Sequence, residues 1–212
     1  MRLTTGERAV AGRTVILANG EFPKKGGEAW RLLASAKRVV CCDGAADAYR
    51  RRFGLWPTAV VGDFDSIRSA AYGAAGGPEA VRFPDQDTND LEKAMKFCAM
   101  RGWRKPVIVG ATGRREDHAI GNVFRALDYG CEIVTDTGRF IPFCGRKTVR
   151  VRKGAAVSVF APDPATRMTS KGLEWPLDGV TFANLYCATL NRTTATRVTL
   201  TSTSRVSVYC EF

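Results

Sequence analysis

The sequence contains no uninterrupted apolar run of about 18 residues, which removes a membrane-spanning helix from consideration. Its opening stretch, MRLTTGERAVAGRT, is polar and lacks the apolar core of an export leader, so the cytoplasm is the expected compartment. No Walker A loop is present, because residues 6–14 carry arginine in place of lysine and have the wrong spacing. No GxGxxG fingerprint occurs either, so neither a P-loop fold nor a dinucleotide reductase is expected. The single histidine, His118, excludes a multi-histidine metal centre. A Ser-His-Asp triad would have to use it, and no GxSxG elbow supplies the serine. Seven cysteines, odd in number and with no CxxC pair, argue against a disulfide framework or a zinc ribbon and fit reduced, buried thiols.

What is abundant is positive charge. The 212 residues carry a formal net charge of +11, which attracts anions, whether nucleic acid or a small phosphorylated substrate. The excess is spread along the chain, with only short clusters such as Arg50-Arg51-Arg52, and no RNA-binding aromatic motif, zinc finger or basic helix accompanies it. It reads as a solvated basic surface, and no nucleic-acid partner is expected. A nucleic-acid-binding module remains the non-enzymatic rival.

Apolar, β-rich runs at 14–18, 38–42, 58–61, 80–83, 106–110 and 132–135 alternate with helix-like segments at 27–36, 45–53, 89–101 and 117–129. In the third helix Leu91, Ala94, Met95, Cys98 and Ala99 follow amphipathic spacing, and Asn89 or Thr88 supplies the cap. This alternation predicts an α/β fold with a doubly wound, mostly parallel sheet over residues 1–146. From residue 147 to 212 short alternating segments at 148–152, 156–160, 181–185, 197–201 and 205–210 predict a small antiparallel, sandwich-like β domain.

The chemistry lies where the strands end. Val39-Val40-Cys41-Cys42 runs into Asp43, Val60-Val61-Gly62 into Asp63-Phe64-Asp65-Ser66, and Val81-Arg82-Phe83-Pro84 into Asp85-Gln86-Asp87-Thr88-Asn89-Asp90. Val107-Ile108-Val109-Gly110 leads to Ala111-Thr112-Gly113-Arg114-Arg115-Glu116-Asp117-His118. Ligands of open parallel sheets bind beyond the carboxyl ends of the strands. So many carboxylates at one edge repel unless a cation offsets them, and a hard divalent ion with substrate phosphates does so. Asp63 and Asp65, spaced i, i+2, point the same way if extended, and share one metal or flank two. Glycines and free N–H groups before the fourth helix suit an anion, with Arg114 or Arg115 as the clamp.

Taken together, Asp43-Gly44-Ala45-Ala46, Gly62-Asp63-Phe64-Asp65-Ser66, Asp85-Gln86-Asp87-Thr88-Asn89-Asp90 and Gly110-Ala111-Thr112-Gly113-Arg114-Arg115-Glu116-Asp117-His118 with Asn122 resemble the thiamine pyrophosphokinase family. Ser170-Lys171-Gly172-Leu173-Glu174-Trp175-Pro176-Leu177 is similar to that family's β-domain signature. The resemblance implies transfer of pyrophosphate from ATP to the primary hydroxyl of thiamine, giving thiamine diphosphate and AMP, with Mg2+ as cofactor. It also implies a homodimer with the substrate site at its interface. By motif position, Asp63, Asp65 and Asp90 become the catalytic and magnesium carboxylates. Asn19, Asp43, Gly44, Arg114, Arg115 and Asp117 fall on the nucleotide side, and Gln86, Thr189 and Asn191 on the thiamine side. The fourth motif reads Thr-Gly-Arg where Gly-Gly-Arg is common in the family. The enzymatic rivals are a pterin-alcohol pyrophosphokinase of related fold and a metal-dependent phosphohydrolase.

Overall fold

Runs such as Thr14-Val15-Ile16-Leu17 and Val107-Ile108-Val109 have no polar face to present to water, so they are stable only as strands covered on both sides. The structure, a computed structural model, describes residues 13–64, 76–83 and 87–212. Two compact units emerge: residues up to 125 together with 134–136, and residues 126–133 together with 137–212.

In the first unit β1 (Thr14–Leu17), β2 (Arg38–Cys42), β3 (Ala59–Gly62), β4 (Glu79–Arg82) and β5 (Val107–Val109) pair in the order β5-β1-β2-β3-β4, all parallel. The short β6 (Ile133–Val134) follows β5 in the sheet order. The register sets Val15 beside both Val39 and Val107, and Val40 beside Ala59. β4 is the exception in texture: its side chains are largely exposed, as suits an edge.

Alternation along each strand splits the apolar side chains between two faces. Val15, Leu17, Val39, Cys41 and Val60 pack with Ala29, Leu32 and Leu33 of α1 (Glu28–Ala34) and with Ala45, Ala46 and Tyr49 of α2 (Ala45–Phe53). Ile16, Val40, Cys42 and Val61, which point the other way, are equally buried. On α3 (Asp90–Met100), which lies against β1, β2 and β3, Leu91, Ala94, Met95 and Cys98 form the buried stripe. The fourth helix, α4, spans Glu116–Tyr129.

The second unit is antiparallel. β7 (Gly138–Arg150), β8 (Ala156–Phe160), β9 (Met168–Lys171) and β10 (Ala188–Arg192) are organised around β11 (Arg197–Glu211). β11 pairs with β7 along both halves, with a register shift between Ser202 and Val206. On its other edge it takes β9 near Thr199 and β8 near Tyr209. The two segments expected at 197–201 and 205–210 are therefore one strand interrupted by an irregularity.

Two further expectations are corrected, and two strands are added. A domain change at 147 would cut β7, which begins at Gly138 and belongs wholly to the second unit. Pro142 and Gly145 interrupt that stretch in the sequence and hide its strand character. Residues 181–185 form no strand; Phe182 is instead inserted from a loop into the core, with no exposed surface, beside Leu177, Val198 and Leu200. β9 and β10, missed in the sequence, are short; β9 is polar on its outward side, while β10 buries Asn191 and leaves Leu190 exposed, against simple alternation.

Phe182→Ala removes a ring from the middle of this core. It is expected to destabilise the protein by about 3–5 kcal/mol, read from denaturant midpoints. A loss below about 1 kcal/mol would show that the loop, and not the ring, sets the packing.

Candidate functional site

Because β1, β2, β3 and β5 are parallel, their carboxyl ends meet at one edge, where a cleft of about 470 Å3 opens. Its walls come from the segment after β1 (Ala18, Asn19, Gly20), the end of β2 (Cys42), Asp63 after β3, the start of α3 (Thr88 to Lys93) and the loop after β5 with the first turns of α4.

The floor is tightly built. Gly20 donates its N–H to the Gly110 carbonyl at 2.7 Å, and Glu21 donates to the Thr112 carbonyl at 2.8 Å. A Cβ on Gly20 would stand 2.4 Å from the Gly110 oxygen, so only glycine lets these loops touch. Arg114 reaches back across this contact and donates to both the carbonyl and the Oδ1 of Asn19 at 3.2 Å. Arg115 also lines the cleft.

The acidic side is crowded. Asp43 sits at φ 36° just past β2, and its N–H is spent on the Val61 carbonyl. It is 4% exposed, and its buried Oδ1 has no hydrogen-bond partner among the described residues. Asp90 opens α3 beside the cap residue Asn89, whose Oδ1 accepts the Glu92 N–H at 2.9 Å. Burial pushes the Asp90 carboxyl above its ordinary range; Lys93 pulls it back, while the charges of Asp43 and Asp63 add to the push. Lys93 Nζ, itself buried, stands 3.4 Å from Asp90 Oδ1. Behind them the Cys42 thiol donates to the Asp90 carbonyl at 3.5 Å, and burial above all raises its pKa and keeps it neutral.

The carboxylates suit a hard divalent cation in donor type and charge. Asp43 offers an unpartnered buried oxygen, and Asp90 carries a charge that its neighbours disfavour. Among the described residues no group of three or more His, Cys, Asp or Glu comes together closely enough to hold a metal unaided.

Of the residues singled out in the sequence, Asn19, Asp63, Asp90, Arg114 and Arg115 line the cleft. Asp43 and Gly44 do not line it. Asp43 lies buried beside it, and the Cβ position of Gly44 is 3.4 Å from Asn19 Nδ2. Asp117 is also not among the lining residues; it makes an exposed two-bond pair with Arg115, at 3.1 and 2.6 Å. Asp65 and Gln86 lie outside the described residues. Thr189 and Asn191 are in the second unit, on a separate groove of about 360 Å3 walled by Trp175, Pro176, Leu177, Val180 and Leu190. The Asn191 amide is consumed there by Trp175, accepting from its N–H at 3.2 Å and donating to its carbonyl at 2.7 Å.

Sequence reasoning missed Lys93, Asn89 and Cys42 as cleft residues. Lys93 stands one turn after Asp90, on the same helix face, and that i, i+3 spacing was the available signal.

Two family models match the chain. The one described as "Thiamin pyrophosphokinase, catalytic domain" covers residues 29–134, and "Thiamin pyrophosphokinase, substrate-binding domain" covers 138–209. Thiamin pyrophosphokinase 1 of Caenorhabditis elegans is 32% identical over 116 residues, 51% of this chain. The match spans about half, 47%, of that curated relative's length. Among solved structures, a thiamin pyrophosphokinase family protein from Enterococcus faecalis superposes with a TM-score of 0.76 at 16% identity, over 95% of this chain and 99% of the other. Thiamine pyrophosphokinase from Bacillus subtilis gives 0.68 at 18% identity, over 94% and 98%. The yeast enzyme gives 0.70 at 11%, over 95% and 86%. These likenesses are of mixed α/β fold.

The Arg115 pair holds the Asp117 carboxyl down at about 2, first through its hydrogen bonds and then through the His118 backbone N–H. A depressed carboxyl stabilises the folded state above its ordinary pKa of 3.8 and loses that contribution as pH falls through about 2. Arg115→Ala should return the Asp117 midpoint towards 3.8 in a carbon-detected NMR titration; an unmoved midpoint would reassign the shift to the helix start.

Proposed function

We infer the activity from one premise, that this chain belongs to the thiamin pyrophosphokinase family. We propose that it transfers the pyrophosphoryl group of ATP to the primary hydroxyl of thiamine, forming thiamine diphosphate and AMP. The observation that carries this reading is the single cleft onto which Asp63, Asp90, Lys93, Arg114 and Arg115 all open. Phosphoryl-type transfer asks for just such a mixture of anion clamps and cation-holding carboxylates.

Asp63 and Asp90, with Asp65, would hold magnesium. When bound, the ion would neutralise charge on the phosphate oxygens. The chain's own part is to orient and to exclude water. Arg114, braced on Asn19, and Arg115 pair with phosphate oxygens, while the glycine loops let the backbone approach them. Asn19, Asp43, Gly44 and Asp117 belong to the nucleotide side of this reading. Gln86, Thr189 and Asn191 belong to the thiamine side.

Three finer features complete it. The first unit is doubly wound, since α1 and α2 share one face of its sheet while α3 takes residues of alternate register, and the second unit is sandwich-like. The protein is a homodimer with thiamine bound at the subunit interface; the exposed Trp175, Tyr186 and Leu190 near the second groove support a covered apolar surface. It works in the cytoplasm, as seven free cysteines suggest, with neither nucleic acid nor membrane as partner.

Incubation with ATP, magnesium and thiamine should yield AMP and thiamine diphosphate in equal amounts by mass spectrometry. ADP with thiamine monophosphate would make it an ordinary kinase, and phosphate release without an acceptor would make it a hydrolase. Chelation should abolish turnover and magnesium restore it. Asp63→Asn and Asp90→Asn should each lower kcat by at least about 100-fold, the equivalent of roughly 3 kcal/mol; near-normal turnover in both would end the carboxylate assignment. Light scattering at micromolar concentration should give twice the chain mass of 23.1 kDa. A fully active monomer would rule out the shared site.

A further inference from the structure

Two loops supply most of the cleft's charged groups: the start of α3, with Asp90 and Lys93, and the turn after β5, with Arg114 and Arg115. One buried side chain touches both. Asn122, on α4 and 8% exposed, accepts from Asn89 Nδ2 at 3.2 Å through its Oδ1 and donates from Nδ2 to the Ala111 carbonyl at 2.9 Å.

The direction of this chain is fixed at both ends by backbone groups. The Glu92 N–H can only donate, so Asn89 must present Oδ1 to it and Nδ2 to Asn122. The Ala111 carbonyl can only accept, so Asn122 must present Nδ2 to it and Oδ1 to Asn89. Neither amide can be flipped without losing a bond at each end. Only a side chain that accepts and donates at once completes the link. Aspartate would keep the acceptor and lose the donor, and leucine of similar volume would lose both. The Ala111 backbone is buried, so a lost partner there is not replaced by water at no cost.

We propose that Asn122 is a positioning residue: it sets the separation between the Asp90 end of α3 and the Gly110–Arg115 loop, so that cation-holding and anion-clamping groups meet one substrate at the correct span. The assignment to catalysis rests on the reaction proposed above, while the mechanical link does not. Positioning affects the reacting geometry more than ground-state binding, so its loss lowers kcat and spares KM.

The test uses Asn122→Leu, Asn122→Asp and Asn89→Ser, the last keeping an N-cap oxygen for Glu92 while removing the arm that reaches Asn122. For each, kcat and both KM values are measured, with amide hydrogen exchange of residues 110–115 recorded on the same proteins. Expected are falls of about 10-fold to 100-fold in kcat with KM within about 3-fold, and faster exchange in 110–115 even for Asn89→Ser, whose own position lies on the other loop. Because the residues act as one unit, Asn89→Ser combined with Asn122→Leu should be no slower than the worse single variant. A variant that is less thermostable yet keeps its kcat would overturn the proposal, and so would unchanged exchange in Asn89→Ser. If the wild type makes no thiamine diphosphate, the reaction reading fails, and the exchange experiment still decides whether the two loops are linked.

Discussion

Like charge gathered at one edge is the constraint around which the first unit is arranged. Parallel strands must all end on the same side, and in this chain β2 and β3 end in carboxylates while α3 begins with one. The resulting repulsion is visible in Asp90, raised by burial and by its acidic neighbours, and beside it Asp43 is buried with one oxygen unpartnered among the described residues. Lys93 offsets part of it from within the helix, and the arginines of the turn after β5 bring opposite charge to the same cleft. An arrangement that costs stability in this way persists where a ligand offsets it, as is common at functional sites.

Most strands of the first unit were legible because fully buried strands have no polar face, the exposed β4 being the exception: five of the six expected runs before residue 136 overlap observed strands of four residues or fewer, and one, 38–42, coincides in both bounds. The carboxylates were legible for the same reason, since an apolar run ending in aspartate marks a strand end. Lys93 was not. Lysine is rarely buried, and only its pairing with Asp90 makes the position tolerable. Asn122 stood inside a quoted motif, but its two partners are 33 and 11 residues away, so no local pattern announces the link. In the second unit, alternation over four or five residues did not distinguish a strand at 181–185 from a loop that delivers one buried ring.

The two units meet different physical demands. The cleft of the first is polar and braced by backbone contacts, with Gly20 admitting no side chain. The groove of the second is framed by Trp175, Pro176, Leu177 and Leu190, with the Asn191 amide spent on holding Trp175. A rigid charged site suits a highly charged ligand, whose binding depends on spacing. An apolar groove suits an aromatic or aliphatic surface, whose binding depends on area.

β11 shapes how the second unit comes into being. It is the common partner of β7, β8 and β9, and the Arg197↔Arg150 to Glu211↔Gly138 ladder joins residues some 47 to 73 positions apart in sequence. Such non-local pairing is slow, because the intervening chain must be closed before any ladder rewards it. During synthesis β7, β8 and β9 emerge before their shared partner, leaving strand edges and apolar faces open until residues 197–211 arrive. The first unit has its own long closure, since β1 pairs β5 through Val15↔Val107, but its neighbours β1, β2 and β3 are joined one to the next through α1 and α2. The second unit therefore stands to gain from a chaperone that shields unpaired edges until β11 is complete.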